Sequence, residues 1–162
     1  MEQGVLESSA PGSGRGVRSL PVRLRPGQDL RQGLEEAARA ASVASAFVIC
    51  GIGSLTDPRL RFAGAREETV LPGPFEMLSL SGTLTPGGCH LHMVVAGPDG
   101  RAWGGHVSRG NTIRTTAEVL LAALPDGVLS RRFDPRTGFM ELVVQEPVAG
   151  GAHGAPAKGR AP

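Results

Sequence analysis

Three of the four histidines of this chain, His90, His92 and His106, fall within 17 residues of one another. A neutral imidazole nitrogen is a good ligand for zinc and other divalent transition metals, and three of them leave a fourth coordination position open to water or another ligand. Whether the rings can meet depends on the chain between them. Gly97-Pro98-Asp99-Gly100 has proline at the first turn position and glycine where a left-handed residue is needed, which predicts a hairpin loop closed by Gly97 and Arg101. Counting outward puts Leu91 opposite Val107, Met93 opposite Gly105 and Val95 opposite Trp103, so one side of the hairpin is apolar. The other side carries His92 opposite His106, with His90 two residues along, at Cβ separations of about 4.5–5.5 Å for the opposed pair. Gly104 leaves room beside them. A slip of one residue would bring Trp103 and Val107 onto the histidine side. The plainer alternative is three polar side chains on a solvated or subunit-facing surface, bonded to one another or to backbone. Cys89 falls on the apolar side and is expected as a small buried hydrophobe.

If a metal is held, a carboxylate is the natural general base for water at the open position. The candidates are Glu76 and Glu118. Glu118 has a competing role, because Thr115-Thr116-Ala117-Glu118 has capping-box spacing and predicts a helix over Val119 to Leu124, stopped by Pro125-Asp126-Gly127. Arg114, with Asn111 and Thr112, would then stand near that helix's N-terminus, where free N–H groups favour an anion. Gly51-Ile52-Gly53-Ser54 lacks a third glycine, a following Lys-Ser/Thr pair and a following helix, so it predicts a tight turn rather than a phosphate loop. No assembled catalytic triad or nucleophile motif is present.

The elements that must position these residues follow from periodicity. Leu20, Val22 and Leu24 alternate as in a strand, and Asp29 caps a helix on which Leu30, Leu34, Ala37, Ala38 and Ala41 recur. Further strands are predicted over residues 46–50, 55–62, 75–84, 89–96, 102–107, 128–133 and 139–144. The order implies an α+β domain, a mostly antiparallel mixed sheet with two main helices. Residues 1–19 and 147–162 are rich in Gly, Ala, Ser and Pro and are expected as disordered tails around a single domain at 20–146.

The chain has 162 residues, 40% of them apolar, enough for one domain with a core. A net charge of +2 and the absence of tyrosine leave little for an electrostatic or base-stacking nucleic-acid surface. Cys50 and Cys89 stand 39 positions apart without a Cys-x-x-Cys pair, arguing against a thiolate zinc knuckle or a disulfide framework. The acidic N-terminus and the lack of an 18-residue apolar run point to a cytoplasmic address without membrane insertion, with entry to the nucleus open to a chain of this size.

Taken in order, Gly51-Ile52-Gly53-Ser54-Leu55, Phe75-Glu76-Met77-Leu78-Ser79-Leu80-Ser81-Gly82-Thr83, His90-Leu91-His92, Gly104-Gly105-His106 and Thr115-Thr116-Ala117-Glu118 resemble the PPC domain, the plant and prokaryote conserved domain. The resemblance covers most of residues 20–145. It implies a mostly antiparallel α/β fold, a homotrimer, histidines at a metal site and no established enzyme activity. In plant members a Gly-Arg-Phe-Glu-Ile-Leu segment is associated with partner proteins; here it reads Gly73-Pro74-Phe75-Glu76-Met77-Leu78, without the arginine. The Arg-Gly-Arg-Pro AT-hook that carries DNA binding in plant relatives is absent, the nearest approaches being Gly14-Arg15-Gly16 and Lys158-Gly159-Arg160-Ala161-Pro162. The expected function is therefore a homotrimeric binding or regulatory module with a histidine metal site. A small metal-dependent enzyme is the first alternative and a DNA-associated regulator the second.

Overall fold

The computed structural model describes residues 17–125 and 127–145. In chain order the elements are β1 (Arg18–Leu24), α1 (Leu30–Ala40), β2 (Ser45–Thr56), β3 (Arg59–Arg61), β4 (Thr69–Val70), β5 (Pro74–Thr85), β6 (Gly88–Ala96), β7 (Ala102–Val107), β8 (Thr112–Leu124), β9 (Leu129–Asp134) and β10 (Phe139–Val144). Eight strands form one sheet in the order β1-β8-β2-β5-β6-β7-β3-β4, and β9 and β10 pair as a separate hairpin. Each of the strand pairings is antiparallel. The expected tail motifs at residues 14–16 and 158–162, and His153, lie outside the described residues.

One face of the sheet is the core face. Leu55, Leu60, Met77, Leu91, Val95, Val107, Ile113 and Leu121 are fully buried there together with Leu30 and Leu34 of the helix. Asp29 caps α1 by accepting from the Gln32 backbone N–H at 2.8 Å, and its other oxygen accepts from Gly110 N at 2.7 Å. One side chain therefore starts the helix and fixes the loop leading into β8. The helix lies against β1, β6 and β8.

The expected second helix is a strand. Residues 115–124 belong to β8, bonded on one edge to β1 and on the other to β2. Alanine and leucine favour a helix in isolation, and the Thr-x-x-Glu spacing fits a cap, but a two-sided place in the sheet overrides both. Val119, Leu121 and Ala123 are buried, while Leu120, Ala122 and Leu124 on the other face are half-buried. With apolar residues on both faces, the two-residue period is invisible in the sequence. The α+β expectation with two main helices is thus replaced by an antiparallel sheet with a single helix among the described residues.

The Gly51–Ser54 turn is likewise absent, because those residues continue β2 with irregular pairing at Val48/Cys50 and Gly53/Leu55. A Cβ at Gly53 would collide with the Thr116 carbonyl oxygen and lie 2.7 Å from Ala117 Cα. This glycine therefore permits close strand approach, not chain reversal. Nor is residue 46–50 a wholly buried strand: Phe47, Ile49 and Cys50 are exposed. No helix among the described residues is long and apolar enough to cross a membrane.

Candidate metal centre

The hairpin forms in the expected register. Gly97 N donates to Arg101 O at 3.0 Å, Gly100 N to Gly97 O at 2.9 Å, and Gly100 sits at φ 77°, the left-handed position that glycine tolerates without strain. Met93 pairs with Gly105, Val95 with Trp103, and His92 with His106. Alternation does the rest: Cys89, Leu91, Met93 and Val95 point into the core, and His90 and His92 point outward.

The three imidazoles converge. Ring centroids are 5.1 Å apart for His90–His92 and for His90–His106, and 5.5 Å for His92–His106. One nitrogen from each ring lies within 4.8 Å of the others, and the His90 and His92 Nε2 atoms are 3.1 Å apart. Two nitrogens at about 2.0–2.1 Å from a tetrahedral ion are separated by about 3.3 Å, so the arrangement suits such an ion with little adjustment. His106 Nδ1 is buried without a hydrogen-bond partner, a condition that costs free energy unless a ligand relieves it. The donor set and this unsatisfied nitrogen fit a divalent transition metal.

Burial and neighbouring charge disfavour protonation of two of the rings. Burial, then His90 and then Arg61, hold the His106 imidazole down at about 4. His90 is lowered by burial first and by Arg131 second. Both shifts favour the neutral, metal-binding form. Cys89, by contrast, is a buried thiol that donates to Glu35 Oε1 at 3.2 Å, and burial pushes its pKa up to about 12, so it is neither thiolate nor ligand.

The two candidate carboxylates are not in this site. Glu76 pairs with Ala96, four residues along β6 from His92 and so roughly 13 Å away at the strand rise. Glu118 lies on β8, three strands from β6, at a lateral distance of about 14 Å. With no helix to cap, Glu118 instead faces Arg23 and Ile52 across its neighbouring strands. Arg114 is exposed on the same strand and stands at no helix N-terminus, which removes the reason to place an anion there. In the segment 73–78, Phe75 and Met77 are buried in the core, whereas Glu76 and Leu78 are exposed. Gly73 is tied to Asp57, its N–H donating to Oδ1 at 2.6 Å.

Three residues beside the site were not singled out by the sequence. Arg61 of β3 pairs with His106. Arg131 of β9 donates from Nη2 to Thr83 Oγ1 at 2.8 Å, and Thr83 is the cross-strand partner of His90. Glu141 of β10 is a further charge felt by His90. The pairing of β3 with β7 and the return of β9–β10 to the sheet are long-range events with no local signal. Only the basic character of residues 59–61 and 131–132 was legible.

A family model described as the Plants and Prokaryotes Conserved (PCC) domain matches residues 11–125. The chain belongs to this family. It is the domain that the glycine, His-x-His and Gly-Gly-His segments resemble. Over 140 residues, 86% of this chain, the PCC sequence is 46% identical to the bifunctional protein GlmU of a Synechococcus strain, but it covers only 22% of that protein. It thus spans about a fifth of the length of the curated relatives it matches. Among solved structures, a hypothetical protein from Salmonella enterica is 38% identical with a TM-score of 0.76, covering 82% of this chain and 96% of that one. A metal-containing protein from Archaeoglobus fulgidus is 26% identical with a TM-score of 0.68, covering 79% and 94%. A Bacteroides thetaiotaomicron protein, provisionally described as DNA-binding, shares the fold at 19% identity and a TM-score of 0.69, covering 84% and 96%.

Proposed function

We propose that this PCC domain is a homotrimeric binding or regulatory module whose His90, His92 and His106 hold a divalent transition metal, zinc being the first candidate. The observation that carries the metal is the convergence of three imidazoles, one ligand nitrogen of each lying within 4.8 Å of the others. The metal-containing Archaeoglobus relative supports it. When bound, such an ion supplies a Lewis-acidic centre with an open coordination position. The chain's own part is to keep the three rings close and to favour the neutral form of His90 and His106.

Self-association has a separate support. On the sheet face away from the helix, Phe47 is 40% exposed, Ile49 60%, Ile52 56% and Leu78 54%. Beside them runs a groove of about 520 Å³ lined by Pro21, Val22, Cys50, Ile52 and Leu120 and flanked by Arg23 and Glu118. Contiguous apolar surface with a polar rim is the usual composition of a subunit interface. Protein partners through Glu76 and Leu78 remain compatible with this reading.

The enzyme alternative has lost its assigned bases, since Glu76 and Glu118 stand away from the histidines. DNA association is the second alternative, and undetectable binding to an A·T-rich duplex at low salt would remove it. Elemental analysis of protein purified without a polyhistidine tag tests the metal: one equivalent per chain is expected, and none in His92→Ala. Equal metal content in both would refute the centre. Light scattering tests assembly, and a monomer at micromolar concentration would refute the trimer.

A further inference from the structure

We propose that the three-histidine centre binds a compact oxyanion, a carboxylate or phosphate group, at its open side, with Arg61 and Arg131 as the residues that hold it. This rests on the metal reading above. The two arginines reach the cluster from opposite directions across the sheet. On one side the row runs His92, His106, Arg61 through β6, β7 and β3. Paired residues share a face, and since Leu60 and Val107, one position along, are fully buried, Arg61 stands on the same outward face as the rings.

On the other side the row runs from His90 to Thr83. Arg131 is fixed above it by two bonds, Nη2 to Thr83 Oγ1 at 2.8 Å and Nη1 to Met140 O at 3.1 Å. Two bonds of this kind hold a guanidinium in place before a ligand arrives. Neither Arg61 nor Arg131 forms an ion pair with a carboxylate among the described residues.

The charge balance then selects the ligand. Three neutral imidazoles leave a divalent ion uncompensated, and two guanidinium groups add to the excess. The nearby acid is Glu141, which His90 also feels. A single carboxylate opposite a dication and two arginines leaves the site positive, so an anionic oxygen is favoured over neutral water. Arginine forks match the geometry of carboxylate and phosphate oxygens in particular. The residual alternative occupant is Glu141 itself.

The test uses tag-free full-length protein loaded with Co(II), its metal content measured, and its visible absorption bands followed during titration with inorganic phosphate or with acetate at constant ionic strength in chloride. A saturable spectral change is expected with at least one of the two; phosphate alone identifies a phosphate-type ligand and acetate alone a carboxylate-type one. Arg61→Gln and Arg131→Gln should each weaken that affinity by about tenfold, with cobalt content still at one per chain. Because Arg131 also anchors the β9–β10 hairpin, Arg131→Lys provides a second variant, which should recover part of the lost affinity. Cobalt bound without any response to either anion, as when Glu141 already fills the position, would overturn the proposal. So would equal affinity in the Arg61→Gln, Arg131→Gln double variant. A chain that takes up no cobalt would overturn the metal reading and this inference with it.

Discussion

The two sides of strand β6 carry opposite tasks on one backbone. Cys89, Leu91, Met93 and Val95 are buried in the core, while His90, His92 and Val94 alternate with them on the outward face. The inner residues fix where the strand lies; the outer ones use that placement for chemistry. Stability and ligand binding should therefore separate residue by residue along nine positions.

Leu91→Ala offers the largest effect. Leu91 is fully buried, and truncation should cost about 2–5 kcal/mol of folding free energy, read by chemical denaturation of the metal-free protein. On the opposite side, His92→Ala should change metal-free stability by no more than about 0.5 kcal/mol. It should nevertheless lower metal affinity by more than the 10–100-fold typical of losing an outer hydrogen-bond partner of a metal ligand. If the two variants lost stability alike, the division between faces would fail.

Gly82→Val attacks the junction of both sides. A Cβ at Gly82, where φ is +142°, would collide with the His90 carbonyl oxygen and come within 2.9 Å of Leu91 Cα. Separation of β5 from β6 should then lower the melting temperature and the metal content together. Loss of one without the other would show that the pairing is not shared between the two tasks.

A smaller effect is a pH dependence. His106 in the folded protein is held at about 4, below the ordinary 6.5. The fold favours the neutral ring, so its contribution to metal-free stability is complete above about pH 6.5. It declines as pH falls toward 4, because the unfolded chain takes up the proton first. Comparison with His106→Asn by denaturation at pH 7 and pH 4.5 should show a shallower decline in the variant. The smallest effect belongs to Glu76→Gln and Glu118→Gln, both of which should retain full metal content by elemental analysis.

The same contrast explains what could be read in advance. The β6–β7 hairpin was legible because its register is set locally: a proline, an aspartate and a left-handed glycine fix the turn, and a strictly apolar side fixes which residues face inward. Helix α1 was legible for the same reason, through the Asp29 cap and the spacing of Leu30, Leu34 and Ala38. β8 was not. Its Leu-Leu-Ala-Ala-Leu run is apolar on both faces, and only its neighbours β1 and β2 make it a strand. Arg61 and Arg131 escaped for a related reason: each is brought to the histidines by pairings or bonds spanning 45 or more residues.

What the sequence determined alone is therefore the histidine triplet, its turn and its shared face, all functions of local backbone geometry. The tertiary structure decided that residues 115–124 join a sheet, that Glu76 and Glu118 stand away from the rings, and that two arginines flank them. Those outcomes depend on hydrogen bonds between distant strands, which compete with local preference and win once the edges of β1 and β2 are there to be paired.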